Sequence, residues 1–118
     1  MDSSEITARA IMESIPGRFI PEKAGDMSAV MHFDIKGDED GGQWTVTVAN
    51  GTVKLEEGLV GECTSSVSGK AKDFIAVELG KLNPAMALMM GKAKVKNLNE
   101  MLRFKGCFNK YTEDVAAG

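Results

Sequence analysis

Between residues 29 and 67, apolar and polar side chains alternate with a period of two, broken by short turn signals, and no other feature narrows the fold as much. Ala29, Met31, Phe33 and Ile35 alternate with Val30, His32, Asp34 and Lys36. Successive side chains on a strand point to opposite faces, so this run makes one apolar face and one mixed face. Gly37 to Gly42 is a polar turn. Trp44, Val46 and Val48 then alternate with Thr45 and Thr47, and Asn50-Gly51 follows at once. A tight hairpin turn needs positive φ at both central residues, which Asn and Gly tolerate, so a return strand through Val53 and Leu55 is expected, ended by Glu56-Glu57-Gly58. Cys63, Ser65 and Val67 alternate with Thr64, Ser66 and Ser68 in a fourth, more polar strand that continues the hairpin logic.

Helical spacing frames this block. Ile6, Ala10, Ile11 and Ile15 recur at helical intervals over residues 4–15, with Asp2, Ser3 or Ser4 as candidate caps and Pro16-Gly17 as the stop. Phe19, Ile20, Pro21 and a polar loop lead to the first strand. Ser68-Gly69 opens a helix through Phe74, Ile75, Val77 and Leu79 that ends at Gly80. Asn83-Pro84 is a helix cap followed by a favoured first-turn proline, and the short helix from Ala85 to Met90 stops at Gly91. Lys92, Lys94 and Lys96 alternate with Ala93 and Val95 in a fifth strand, and Asn97 suits a left-handed turn. A last helix runs from about Leu98 to Lys110, with Leu98, Met101, Leu102, Phe104, Cys107 and Phe108 as its apolar set. Strands and helices are segregated along the chain, which predicts an α+β fold: a five-stranded, mainly antiparallel sheet covered on one face by about four to five helices. A length of 118 residues without repeats or low-complexity tracts suits a single domain over residues 1–118.

Composition removes several function classes. A net charge of −3 argues against nucleic acid as a partner, since that needs a basic face. The charge is uneven: residues 1–69 hold 5 Lys/Arg against 12 Asp/Glu, and residues 70–118 hold 9 against 5. Two cysteines, Cys63 and Cys107, are too few for a disulfide framework and do not form a CxxC pair. The first residues show no basic start followed by an apolar run, the last show no lipidation address, and the longest apolar run, Ala85 to Met90, is far too short to span a bilayer. A soluble, cytoplasmic setting is expected. Phosphate-loop, dinucleotide and zinc spacings are missing, so neither a cofactor nor a metal is expected.

Residues 80–96 read Gly-Lys-Leu-Asn-Pro-Ala-Met-Ala-Leu-Met-Met-Gly-Lys-Ala-Lys-Val-Lys. This resembles the signature of the sterol carrier protein-2 family: G-K-x-[ND]-P, an apolar helical turn, then G-K-[LA]-K-[IV]. The hairpin Gln43-Trp44-Thr45-Val46-Thr47-Val48-Ala49-Asn50-Gly51 resembles a second block of that family, and Cys63-Thr64 with Asp73-Phe74 a third. The resemblance covers roughly residues 28–108 in order. Asn97 stands where the family often has Gly, and the segment Gly69 to Lys72 looks longer than usual before Asp73. The resemblance implies helices over a sheet with an apolar tunnel between them. It implies binding or transfer of a sterol, fatty acid, fatty acyl-CoA or phospholipid without enzymatic catalysis, metal or cofactor. It also implies that some members act as domains or accessory factors in lipid and quinone metabolism.

The residues themselves are compatible with that expectation. Eight methionines in 118 residues is many, and an unbranched thioether repacks around varied shapes, although from the residues alone plain core filling is the favoured reading. With the resemblance, Met31, Met86, Met89 and Met90 are taken as candidate ligand contacts, together with Phe33, Trp44, Val46, Phe74, Val77, Leu88, Leu102 and Phe108. Lys92, Lys94 and Lys96, with Lys70, Lys72 and Lys81 nearby, admit two readings: contact with an anionic head group or transient contact with an anionic membrane, or a solvated strand edge that deters pairing. The solvated edge is the simpler. His32, the only histidine, is expected to point away from the core beside Asp34, a weak basis for acid–base chemistry, and Asp38-Glu39-Asp40-Gly41 lacks the spacing of a calcium loop. Cys63 and Cys107 read as apolar residues. The competing function is a protein-interaction or accessory subunit in which Phe104, Phe108 and the methionines form a surface patch.

Overall fold

The computed structural model describes residues 7–37 and 41–109. The candidate caps Asp2, Ser3 and Ser4, the acidic tip Asp38-Glu39-Asp40, and Lys110 lie outside the described residues. The chain enters through three short helices, α1 (Ala8–Glu13), α2 (Ile15–Arg18) and α3 (Pro21–Ala24). Thr7 caps α1, its hydroxyl accepting from the Ala10 amide at 3.1 Å. Pro16 does not end the helical segment as expected. It sits in the first turn of α2, where its missing N–H costs no hydrogen bond, and Pro21 does the same in α3.

The strands are β1 (Ala29–Lys36), β2 (Gly42–Ala49), β3 (Thr52–Glu57), β4 (Ser65–Lys70) and β5 (Ala93–Lys96). Two helices, α4 (Ala71–Glu78) and α5 (Pro84–Met89), separate β4 from β5, and α6 (Leu98–Lys105) follows. Asn50 and Gly51 take φ of 54° and 72°, closing the expected β2–β3 hairpin. Asn83 caps α5 by accepting from the Ala85 amide at 2.8 Å, and Asn97 is left-handed at φ 59°. Ser68 and Gly69, expected to open a helix, instead complete β4. Glycine is required there, because a Cβ on Gly69 would lie 2.7 Å from the Lys92 carbonyl oxygen, just before β5.

The sheet order is β3-β2-β1-β4-β5. Three pairings are antiparallel, and β4 runs parallel to β1, with Phe33 opposite Val67 and Ile35 opposite Gly69. The hairpin expected to continue into the fourth strand is therefore replaced by a crossing, with the β2–β3 hairpin serving as part of the long connection a parallel pair needs. The loop after β3 folds over the far sheet face. Thr45 donates its hydroxyl to the Gly58 carbonyl at 2.7 Å and accepts from the Val60 amide at 2.9 Å, which is why a polar residue is fully buried there.

The other sheet face carries Met31, Phe33 and Ile35 of β1 and Trp44, Val46 and Val48 of β2, all buried. Ala8, Met12 and Ile15 pack on it from the N-terminal helices, and Ala71, Phe104 and Cys107 from the C-terminal half. Each such large apolar side chain contributes about 1.5–3 kcal/mol through burial. Burial also pushes the Cys107 thiol above its usual range, against the nearby Arg103, so it stays protonated and apolar.

Candidate functional site

Between the apolar sheet face and the helices lies a cavity of about 470 Å³. Its floor is Met31, Phe33 and Ile35 of β1, Val67 of β4 and Val95 of β5. Its walls are Phe74 and Val77 of α4, Ala87 and Leu88 of α5, and Met101 and Phe104 of α6. Aromatic rings brace one side: Phe33 stands 6.3 Å from Phe74 and 6.2 Å from Phe104, and Phe104 stands 4.8 Å from Phe108. Gly69, Ala87 and Ala93 leave the α5 side of the cavity unfilled because they carry little or no side chain.

Polar groups gather at the two ends of α4, about 7.5 Å apart at the helical rise. Asp73 in the first turn is buried and lines the cavity, as do Ser68 and Lys92. Glu78, the last residue, faces Arg18, Lys105 and Asn109. Arg18 is only 6% exposed, which is tolerable because it is well satisfied: its Nε donates to Ser14 Oγ at 3.1 Å and Nη1 to the Asn109 carbonyl at 3.2 Å. Glu78 Oε1 lies 3.8 Å from Arg18 Nη1. Burial pushes the Glu78 carboxyl above the usual range, while Arg18 and Lys105 pull the other way. The cavity lining is thus mainly apolar, with Arg18, Asp73, Glu78, Lys92 and Lys105 as its charged members.

Of the twelve residues singled out as apolar contacts, Met31, Phe33, Phe74, Val77, Leu88 and Phe108 line this cavity. The other six do not. Trp44 and Val46 share the sheet face but sit under α1 in the dry core, with the Arg9 guanidinium 5.7 Å above the Trp44 ring and paired to Glu57. Met86, Met89 and Met90 are 49%, 82% and 55% exposed. The reason is the helical period. Pro84, Ala87 and Leu88 form one i, i+3, i+4 stripe, which lines the cavity, so the stripe of Met86, Met89 and Met90 must face outward. Leu102 is likewise turned out, while its neighbours Met101 and Phe104 face in.

The lysines divide as well. Lys92 lines the cavity, whereas Lys94 and Lys96 flank Val95 and project from the opposite sheet face on an edge strand. Ile15, Arg18, Asp73, Glu78 and Lys105 were not anticipated as cavity residues. Phe104 and Met101 follow from the apolar stripe of α6. Arg18 and Glu78 lie 60 positions apart and carry no local signal of their meeting.

The residues weighed for acid–base chemistry lie outside the cavity lining. His32 is on the far sheet face, its Nε2 3.0 Å from the Val60 carbonyl, and Asp34 engages Lys36 and Gln43 instead. Among the described residues there is no group of three or more His, Cys, Asp or Glu able to hold a metal. No helix among them is long and apolar enough to cross a membrane.

The fold has counterparts. The chain is similar to hydroxysteroid dehydrogenase-like protein 2 of Rattus norvegicus, 38% identical over 69 residues, which cover 58% of this chain and 13% of the rat protein. Among solved structures it resembles palmitated SCP2L2 of Aedes aegypti, with a TM-score of 0.68 and 20% identity over 90% of this chain and 99% of that one. It also resembles part of the inverting sec-alkylsulfatase Pisa1 from Pseudomonas sp., with a TM-score of 0.74 and 15% identity over 90% of this chain and 17% of the enzyme. The chain therefore spans only a small part of the rat protein and of the sulfatase. The model of the SCP-2 sterol transfer family matches residues 20–109, which include all five strands and every cavity-lining residue except Ile15 and Arg18 of α2, and the chain belongs to that family.

Proposed function

We propose that this chain is a non-enzymatic carrier that binds one lipid in the cavity, as a tunnel for its apolar body, and passes it on in a cytoplasmic setting. The observation that carries this reading is the cavity itself. About 470 Å³ of space with a mainly apolar lining and a few charged groups matches an amphiphile better than a compact polar substrate. Met31, Phe33, Phe74, Val77, Leu88 and Phe108 would contact the apolar body. Lys92 at the cavity wall would meet an anionic head group, whereas Lys94 and Lys96 on β5 face away from the cavity. A fatty acid, fatty acyl-CoA, sterol or phospholipid all satisfy this pattern. The palmitated Aedes aegypti relative supports an acyl chain as the first ligand to try.

The test is native mass spectrometry of gently purified protein, followed by titration of delipidated protein with a fluorescent fatty acid and a fatty acyl-CoA. Co-purifying lipid with saturable, one-to-one uptake is expected. A protein that carries no lipid and shows no saturable uptake of either probe refutes the reading.

A second reading, an accessory module of a larger lipid or quinone enzyme, is favoured by one observation: the matched region makes up only 13% of the rat relative and 17% of the sulfatase. It predicts that lipid uptake alone changes nothing measurable until a catalytic partner is supplied.

A further inference from the structure

The outward stripe of α5 is not explained by lipid binding inside the cavity. Met89 is 82% exposed, Met90 55% and Met86 49%; Met86 and Met89 sit on a helix of six residues and Met90 is its C-cap. The opposite stripe of the same helix, Pro84, Ala87 and Leu88, lines the cavity. One turn and a half of helix therefore separates cavity from solvent. On α6, the second helix bordering this cavity, Leu98 and Leu102 are also exposed, at 42% and 54%. Large apolar side chains left in water on both helices of one cavity wall call for a cover.

The charge around them says what kind. Residues 79–105 hold six Lys or Arg against Glu100 alone, in a chain whose net charge is −3; Lys94 and Lys96 project from the opposite sheet face and Arg103 pairs with Glu100, so the cations beside the methionines are Lys81 and Lys92. Lys81 and Lys92 bracket α5 and are exposed. Methionines projecting between lysines complement a surface that is apolar beneath and anionic above. A protein partner fits less well, because a stable interface needs about 800 Å² per side, more than a stripe of three side chains supplies. Flexible thioethers also suit disordered acyl chains.

We propose that the Met86-Met89-Met90 face of α5 docks this protein on anionic phospholipid bilayers, with the methionines inserted and Lys81 and Lys92 at head-group level. Docked this way, the helix that forms the cavity wall lies in the interface, and a lipid moves between bilayer and cavity without crossing bulk water. The proposal gives the carrier reading its route of loading, yet it is tested independently of it.

The experiment is flotation of the full chain with phosphatidylcholine vesicles and with vesicles of phosphatidylcholine and phosphatidylglycerol, comparing wild type, Met89→Ser/Met90→Ser and Lys81→Glu. Wild type is expected to float with the anionic vesicles, and to do so less as salt rises. The methionine double variant should lose at least about tenfold in vesicle affinity, since two largely exposed apolar side chains no longer insert. Lys81→Glu should lose several-fold. Met89 and Met90 lie outside the cavity lining, so fatty acid uptake from solution by the double variant should equal wild type. Wild type that floats with neither vesicle overturns the docking proposal, and a face that serves a protein partner would give that result. Flotation unchanged in the double variant, or equally strong on neutral vesicles, overturns it too. Loss of solution uptake in wild type would instead count against the carrier reading alone.

Discussion

Ala87 offers the sharpest test of the cavity. It is 1% exposed, sits on the inner stripe of α5 and lines the space between that helix and the sheet. Ala87→Leu adds three carbons directed at this space. If the space is real in the unliganded protein, those carbons leave water without displacing neighbours, and at about 0.8 kcal/mol per carbon the gain is at most about 2 kcal/mol. The loss in helix propensity is a few tenths of a kcal/mol. For 118 residues a change of 1 kcal/mol moves Tm by about 4 °C, so Tm of the delipidated protein should rise by roughly 4–8 °C. The same carbons occupy room a lipid would use, so saturable uptake of a fluorescent fatty acid should weaken, and the stabilisation by excess ligand should shrink with it. Vesicle docking should be untouched, because the outer stripe is unchanged. Urea melts of delipidated protein with parallel ligand titrations measure both effects. Destabilisation of about 1–3 kcal/mol would show that the region is already close-packed, since overpacking carries that cost. A stabilised variant that still took up ligand as well as wild type would show that the ligand sits elsewhere.

Two further outcomes follow from the same geometry. Val46 is fully buried but outside the cavity, so Val46→Ala should cost about 2 kcal/mol in urea melts followed by the single tryptophan, while fatty acid uptake under folding conditions stays at the wild-type level. Glu78 has a carboxyl raised by burial, so the folded state holds its proton to higher pH than the unfolded chain does. Its contribution is fully present below the ordinary carboxylate range and is lost as pH rises through the raised folded value. Glu78→Gln should therefore gain stability relative to wild type as pH rises from about 4 to about 8 in matched denaturant melts, and a gap that moved the other way would refute the assignment.

The extent to which the site could be read in advance differs by residue. Met31 and Phe33 were legible because a strand of period two exposes one face, and the apolar face of a sheet must be covered. Trp44 and Val46 lie on that same face with the same pattern, yet α1 packs over them, and no periodicity within β2 encodes which helix lands where. Phe74, Val77 and Leu88 followed from apolar spacing on short helices. Arg18 and Glu78 did not, since a buried ion pair between elements 60 residues apart leaves no trace in either element alone.

The sequence by itself determined most of the elements. Alternation set the strands, Asn50-Gly51 set the hairpin, and Asn83-Pro84 and Asn97 set the start of α5 and the turn into α6, because each acts through backbone geometry within a few residues. Tertiary structure alone decided that β4 lies parallel beside β1, and which of the two stripes of α5 faces inward. Pro84-Ala87-Leu88 and Met86-Met89-Met90 have the same helical spacing, and hydrophobicity favours burying the methionines. Packing of β5 and α4 around a six-residue helix turned the smaller stripe to the sheet, left a cavity beneath it, and left the methionines in solvent.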